Sequence, residues 1–200
     1  MCIRDRYSAD RRAECLNRAA NLLEEEMLDF IQLCTLEAGK TLVDGVAEVR
    51  EAVDFCRYYA REAISPRLSA RTPLGVIGCI SPWNFPLAIF LGQIAASLSV
   101  GNTVIAKPAP QTPLISQMAV ALLFRAGVPE DAVQLLIGDG VKLGTSLTRH
   151  ADISGICFTG STATAKIIAR QLADTGRASC LLYTSPSPRD ATLSRMPSSA

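Results

Sequence analysis

No apolar run in this chain of 200 residues is long enough to cross a membrane. The longest, Phe85–Val100, is broken by Gln93, Ser97 and Ser99 and falls short of the ~20 residues a spanning helix needs. Neither sign of charge is in excess. Lys plus Arg number 20, Asp plus Glu 19, and the formal net charge of +1 argues against a general nucleic-acid binder. No N-terminal stretch combines a charged region, an apolar region and a small-residue cleavage site, so no signal peptide is expected. The single histidine, His150, follows Arg149 at a helix end and is read as a surface residue. The seven cysteines are odd in number and none are spaced C-x-x-C, which excludes zinc knuckles and thioredoxin-type motifs. Scattered in apolar contexts, they read as small buried hydrophobes of a reducing cytosol. A cytoplasmic protein with no metal site is the expectation.

What the sequence does have is apolar material: 48% of residues are hydrophobic and mean hydropathy is +0.22, so disorder of the whole chain is excluded. From Arg11 to about Leu36, Leu16, Leu23, Met27, Phe30, Ile31 and Cys34 recur at helical spacing and predict one amphipathic helix ended by Gly39. Val46, Val49, Val53, Cys56 and Ala60 predict a second over about Val43–Ala63, with Glu48, Glu51, Asp54 and Arg57 on its other sides. Residues 7–65 thus form an N-terminal helical segment, read as packing without chemistry.

Beyond Ser65-Pro66 the period changes. Strands are predicted at Gly75–Ile80, Thr103–Ala106, Val133–Ile137 and Ile153–Phe158. Between them come a helix with Pro86 in its first turn running to about Ser99, one capped by Thr112 and opened by Pro113, and a short one over about Lys142–Arg149. A last helix carries Ile167, Ile168 and Leu172. Strand alternating with helix predicts an α/β fold, a parallel sheet covered on both faces, over residues 71–177. Ligands of such sheets lie beyond the carboxyl ends of the strands. The informative loops are therefore Ser81–Asn84, Lys107–Gln111, Gly138–Gly140 and Thr159–Thr162.

Each loop residue has two readings. Ser161, with Gly160 before it, is either an ordinary helix cap or part of a helix N-terminus that holds a pyrophosphate. Lys107 is either an exposed loop lysine or an ammonium that donates to ribose hydroxyls. Asn84, in the stiff Pro-Trp-Asn-Phe-Pro frame, is either a turn residue or an amide aimed at a developing oxyanion. Trp83 is a core aromatic or a pocket wall. The two ends do not fit this pattern. Met1–Arg6 and Cys180–Ala200 resemble translated sequencing-adapter read-through, so residues 1–6 and 178–200 are expected to be artefact, the latter disordered. The authentic segment is expected over about Tyr7–Arg177, cut at both ends.

Taken together, Cys79–Leu87, Gly101–Pro108, Gly127-Val128-Pro129 and Phe158–Thr162 resemble the aldehyde dehydrogenase superfamily in order and spacing. Glu37–Thr41, Glu51–Ala60 and Ile80–Gln93 are similar to its L-glutamate γ-semialdehyde (pyrroline-5-carboxylate) dehydrogenase branch, found as a module of bifunctional proline-utilisation proteins. The resemblance implies a Rossmann-like nucleotide-binding domain truncated before the catalytic domain. It implies NAD as cofactor, with NADP possible, and FAD only if the parent carries a proline dehydrogenase domain. The implied partners are a small-molecule aldehyde and other copies of the parent in a homo-oligomer, with no nucleic acid and no membrane span.

By the same resemblance, Asn84 donates to the thiohemiacetal oxyanion, Lys107 binds the adenosine ribose, and Gly160 and Ser161 hold the pyrophosphate. Gly140 and Gly144 let a helix pack close to the adenine, and Ile80, Ser81 and Trp83 line the cofactor or the substrate channel. Three departures stand out. The acidic partner of the ribose, three residues after the lysine in relatives, is Pro110 here, which implies easier acceptance of NADP. The residue after the Phe-Thr-Gly-Ser-Thr motif, often glutamate, is Ala163. The Glu-Leu-Gly-Gly-type and Gly-Gln-x-Cys motifs that carry the base and the nucleophile do not occur in these 200 residues, so the chain itself is expected to be inert. The alternatives are a non-catalytic nucleotide-binding or structural member of the fold, a different aldehyde dehydrogenase, and an unrelated doubly wound protein.

Overall fold

The computed structural model describes Ile3, residues 7–66 and residues 71–174. The expectations for residues 178–200, and for residues 1–6 apart from Ile3, lie outside that range. Ile3 is buried, and its N–H donates to the Gly101 carbonyl at 3.1 Å.

Three helices come first: α1 (Ala9–Glu25), α2 (Met27–Ala38) and α3 (Leu42–Ala63). The single helix expected from Arg11 to Leu36 is therefore two. The chain leaves helical geometry at Glu26, which has φ −101° and ψ 20°. The Glu26 carboxylate is turned onto Arg125, ninety-nine positions away, a tie that helical period cannot reveal. The predicted apolar stripe is otherwise buried, Met27 only in part. Gly39 ends α2 in the left-handed region at φ 64°, where a side chain would be strained.

The sheet follows. Strands β1 (Val76–Ile80), β2 (Thr103–Lys107), β3 (Val133–Leu135) and β4 (Ile153–Phe158) pair in parallel in the order β3-β2-β1-β4. They alternate with α4 (Ala88–Ser99), α5 (Pro113–Arg125), α6 (Gly140–Arg149) and α7 (Thr162–Asp174). Period two along β1 divides two cores. Ile77 and Cys79 face a large cluster shared by α1 to α5, while Val76 and Ile80 face a smaller one with Leu147, Ile156, Phe158, Ile168 and Leu172. The α/β fold with both sheet faces covered is as predicted.

The main surprise is what holds α4. Ten of its 12 residues are buried, so its terminal amides and carbonyls cannot all turn to water. At its start Glu48 Oε1 accepts from the N–H groups of Leu87 (3.1 Å) and Ala88 (3.0 Å). At its end the Arg12 guanidinium donates to the Ser99 carbonyl at 3.0 Å. A carboxylate thus sits at the positive end of the helix dipole and a guanidinium at the negative end. Glu48 is 1% exposed, so its placement on the solvent side of α3 is corrected, and Val46, expected in the stripe, is 37% exposed. Pro86 precedes α4 rather than forming its first turn, because the Glu48 contacts set the start at Ala88.

The same device caps α5. Glu37 accepts from Leu114 N–H (2.9 Å) and Ile115 N–H (2.8 Å). The cap expected from Thr112 is therefore absent, and its buried Oγ1 has no partner among the described residues. Breaking a buried ion pair from one side costs about 3 kcal/mol or more. Glu48 also accepts from Lys40 Nζ at 2.8 Å, so Glu48→Ala should destabilise the chain by about 3 kcal/mol in urea unfolding. Glu48→Gln, which keeps an acceptor oxygen, should lose clearly less. Equal losses for the two variants would show that the charge and the cap do not act together.

Candidate functional site

The strand order determines where a crevice opens. From β1 the chain winds outward through β2 to β3, then returns to place β4 on the other side of β1. The connections therefore diverge between β1 and β4, the switch point where doubly wound sheets bind ligands. Its rims are the loops after those strands, Ser81–Asn84 and Thr159–Thr162. The carboxyl ends are tied beyond the strands themselves. Thr159 N–H donates to the Ile80 carbonyl (3.1 Å), Ser81 N–H to the Lys107 carbonyl (3.2 Å) and Leu136 N–H to the Ala106 carbonyl (2.8 Å).

Lys107 ends β2 and is 3% exposed, which discards the reading of an exposed loop lysine. Its Nζ donates to the Pro108 carbonyl at 3.0 Å, its one hydrogen bond among the described residues. Burial pulls the ammonium below its ordinary pKa, and the Asp139 carboxylate partly offsets this. A Cβ built on Gly140 would stand 4.0 Å from Lys107 Nζ, so the start of α6 lies directly against the ammonium. That helix begins two residues earlier than expected because Asp139 caps it, Oδ1 accepting from Lys142 N–H at 2.7 Å. Gly144, one turn on, has open space where a side chain would go.

On the other rim, Ser161 Oγ accepts from Thr164 N–H at 3.2 Å and opens α7, the cap reading of this residue. Gly160 is required locally, because a Cβ there would come within 2.7 Å of the Phe158 ring. Asn84 is half-buried, and Trp83 is 51% exposed, which removes the core-aromatic reading. Ser81 is buried with no partner for its Oγ among the described residues. The fold therefore brings Ile80, Ser81, Trp83, Asn84, Lys107, Gly140, Gly160 and Ser161 to one edge of the sheet.

Three residues at this edge carried no functional assignment in the sequence. Gln93 Nε2 donates to the Ile80 carbonyl (3.2 Å) and to Thr159 Oγ1 (3.1 Å), linking the two rims from α4. A lone glutamine in an apolar helix was the available signal. Lys40 Nζ lies 4.2 Å from the centre of the Phe85 ring while paired to Glu48. Lys40 and Glu48 therefore hold the far side of the Asn84 loop.

No described cysteine is exposed. Burial pushes Cys34 and Cys56 up to about 12. Cys79 is pushed well up by its hydrogen bond with Cys157 and by burial, and that bond pulls the buried Cys157 down. Among the described residues no group of three His, Cys, Asp or Glu could hold a metal, and no helix is long and apolar enough to cross a membrane.

A nicotinamide dinucleotide fits this edge. It offers hydroxyls to the buried Lys107 ammonium, which has one acceptor among the described residues, and a pyrophosphate to the start of α7.

Comparison with known proteins points the same way. The family model described as Aldehyde dehydrogenase family matches residues 5–186. The bifunctional protein PutA of Rhizobium meliloti is 55% identical over 163 residues, covering 82% of this chain and 13% of that protein. The solved 1-pyrroline-5-carboxylate dehydrogenase of Thermus thermophilus superposes with a TM-score of 0.78 at 34% identity, over 82% of this chain and 35% of that one. Betaine aldehyde dehydrogenase of Staphylococcus aureus, solved in complex with NAD+, gives 0.81 at 26% identity, over 88% of this chain and 38% of that one.

The burial of Lys107 has a measurable cost. Replacing its ammonium by an apolar chain of similar length, Lys107→Met, should raise stability by about 1 kcal/mol at neutral pH, since an under-paired buried charge is removed. The folded pKa lies below the unfolded value near 10.5. The wild-type deficit is therefore complete below the folded pKa and fades as pH rises through it toward the unfolded value. Thermal midpoints of the two chains should converge over that alkaline window. A constant difference would show that burial of the charge is not its cause.

Proposed function

The chain belongs to the aldehyde dehydrogenase family, and from that premise we propose that it is the nucleotide-binding segment of an NAD-dependent enzyme oxidising L-glutamate γ-semialdehyde to glutamate in proline degradation. The buried Lys107 ammonium, facing the Gly140 helix start at the carboxyl edge of the sheet, is the observation that carries the binding part of this reading. The similarity to PutA and to a 1-pyrroline-5-carboxylate dehydrogenase supports the substrate part. In the same reading the whole protein is a cytoplasmic homo-oligomer, and FAD belongs to it only if a proline dehydrogenase domain is present.

NAD, when bound, supplies the hydride acceptor. The chain's own residues bind and orient. Lys107 donates to the adenosine ribose. The start of α7, with Gly160 and Ser161, offers backbone N–H groups to the pyrophosphate. Gly140 and Gly144 leave α6 without side chains where the adenine lies. Ile80, Ser81 and Trp83 line the crevice between the rims. Asn84, on a loop braced by Lys40 and Glu48, donates its amide N–H to the oxyanion that forms when a thiolate adds to the aldehyde. Because that loop is fixed from behind, little reorganisation is needed as charge develops.

The thiolate and the carboxylate that activates water must come from elsewhere. The five described cysteines are all buried, and none is free to reach an aldehyde. This favours, for these 200 residues taken alone, binding without turnover.

Trp83 is the only tryptophan and stands at the crevice, so its emission reports binding there. NADH should quench it saturably, and Lys107→Met should weaken the binding by about tenfold or more, the loss expected for a hydrogen bond from a charged donor. With glutamate semialdehyde and NAD the chain should form no NADH. Turnover that is abolished by mutating one of its own cysteines would overturn the reading of this segment as binding only, and the absence of saturable quenching would overturn the binding reading.

A further inference from the structure

The reading of Lys107 as a ribose contact leaves a gap. Nicotinamide enzymes that prefer NAD set an acidic side chain against the adenosine ribose, where it accepts from the hydroxyls and repels a 2′-phosphate. On the loop that carries Lys107, the position three residues on is Pro110, which has no acceptor side chain. An ammonium alone would favour the phosphorylated dinucleotide.

The structure supplies a carboxylate from a different loop. Strand β3 lies beside β2, and the pairing continues past the strands through the bond from Leu136 N–H to the Ala106 carbonyl at 2.8 Å. The chain then turns back so that Gly140 stands against Lys107 Nζ, a built Cβ there being 4.0 Å away. Asp139 immediately precedes Gly140 and is exposed at that edge. Its Oδ1 is engaged by Lys142 N–H at 2.7 Å, and no described residue bonds to its other oxygen. The carboxylate also acts on the Lys107 ammonium, opposing the effect of burial.

Resting on the reading of Lys107 above, we propose that Asp139 is the carboxylate that reads the adenosine ribose and sets a preference for NAD over NADP. It acts in two ways. Its free oxygen accepts from a ribose hydroxyl next to the ammonium that donates to the ribose. Its charge also fills the N-terminus of α6, a place that would otherwise attract a phosphate. A 2′-phosphate gains Lys107 but meets Asp139 and loses the helix terminus. This reverses the easier acceptance of NADP that Pro110 alone implies: the acid has moved from the β2 loop to the β3 loop.

The test is a titration of NADH and NADPH followed by Trp83 emission, on wild type and three variants. Asp139→Asn retains a side-chain oxygen for the α6 cap, since asparagine caps as well as aspartate. It should raise the ratio of NADPH to NADH affinity by about tenfold or more, with the thermal midpoint nearly unchanged. The double variant Asp139→Asn with Pro110→Glu should bring the ratio back toward wild type, an effect that damage to the fold could not produce. If Lys107→Met weakens both dinucleotides but Asp139→Asn leaves the ratio unchanged or lowers it, the assignment of Asp139 is wrong while the ribose loop stands. If Lys107→Met weakens neither, or the wild-type chain binds neither, the ribose loop itself is misread and the inference falls with it.

Discussion

The rest of the structure depends on a buried helix held at both ends by charges from other helices. Helix α4 runs against the sheet with ten of its 12 residues buried. A helix so placed cannot leave its terminal N–H and C=O groups to solvent, and a missing partner there costs the desolvation of each group. Glu48 from α3 and Arg12 from α1 supply the partners. The arrangement complements the helix dipole and also fixes where α4 starts, and hence where the preceding Asn84 loop must end. Glu37 from α2 does the same for α5. The first three helices are therefore the caps of the crossover helices, sharing one core with them, and not an appendage to the sheet.

That arrangement explains both what the sequence made legible and what it hid. Strands β1 and β4 could be read because buried parallel strands are short apolar runs closed by turn residues. Loop positions followed from strand–helix alternation alone, so Lys107, Ser161 and Asn84 could be put at one edge before any strand order was known. The side of α3 on which Glu48 lies could not. Periodicity assigns a charged residue to water by default, and only the position of α4, thirty-nine residues later, makes a buried carboxylate favourable. The break at Glu26 was hidden in the same way, since its partner Arg125 is far along the chain. Thr112 misled for the complementary reason: a good local cap was present, but a stronger long-range one had taken the amides.

The site shows the same division. The residues assigned by resemblance sit on loops and strand ends, apart from Gly140 and Gly144 in the first turns of α6. The residues that hold them in place, Gln93 and Glu48 from helices and Lys40 from the turn between α2 and α3, carried no functional assignment in the sequence. Gln93 joins the Ile80 carbonyl to Thr159 across the switch point, so the two rims of the crevice are tied by a side chain from α4. Lys40 bridges the Glu48 cap to the Phe85 ring. A displacement of α4 would thus be felt at the Asn84 loop, at the Thr159–Thr162 rim and at the Glu48 cap together, because one element carries all three contacts.

This coupling accounts for why a costly set of polar groups can persist at the carboxyl edge. Lys107 is an ammonium buried with one acceptor, and Ser81 Oγ and Gln93 Oε1 are buried without a donor among the described residues. Each lowers the stability of the empty fold. None is needed for the sheet to form, since the neighbouring backbone bonds at Ile80, Lys107 and Ala106 are complete without them. Groups that weaken a fold and add nothing to its pairing are expected where a ligand satisfies them. Helix α4 packs into one apolar cluster with α1, α3, α5 and strands β1 and β2, and burial of that cluster stabilises the fold as a whole. The N-terminal helices therefore serve the site through α4: they cap it, and so fix the loop that precedes it.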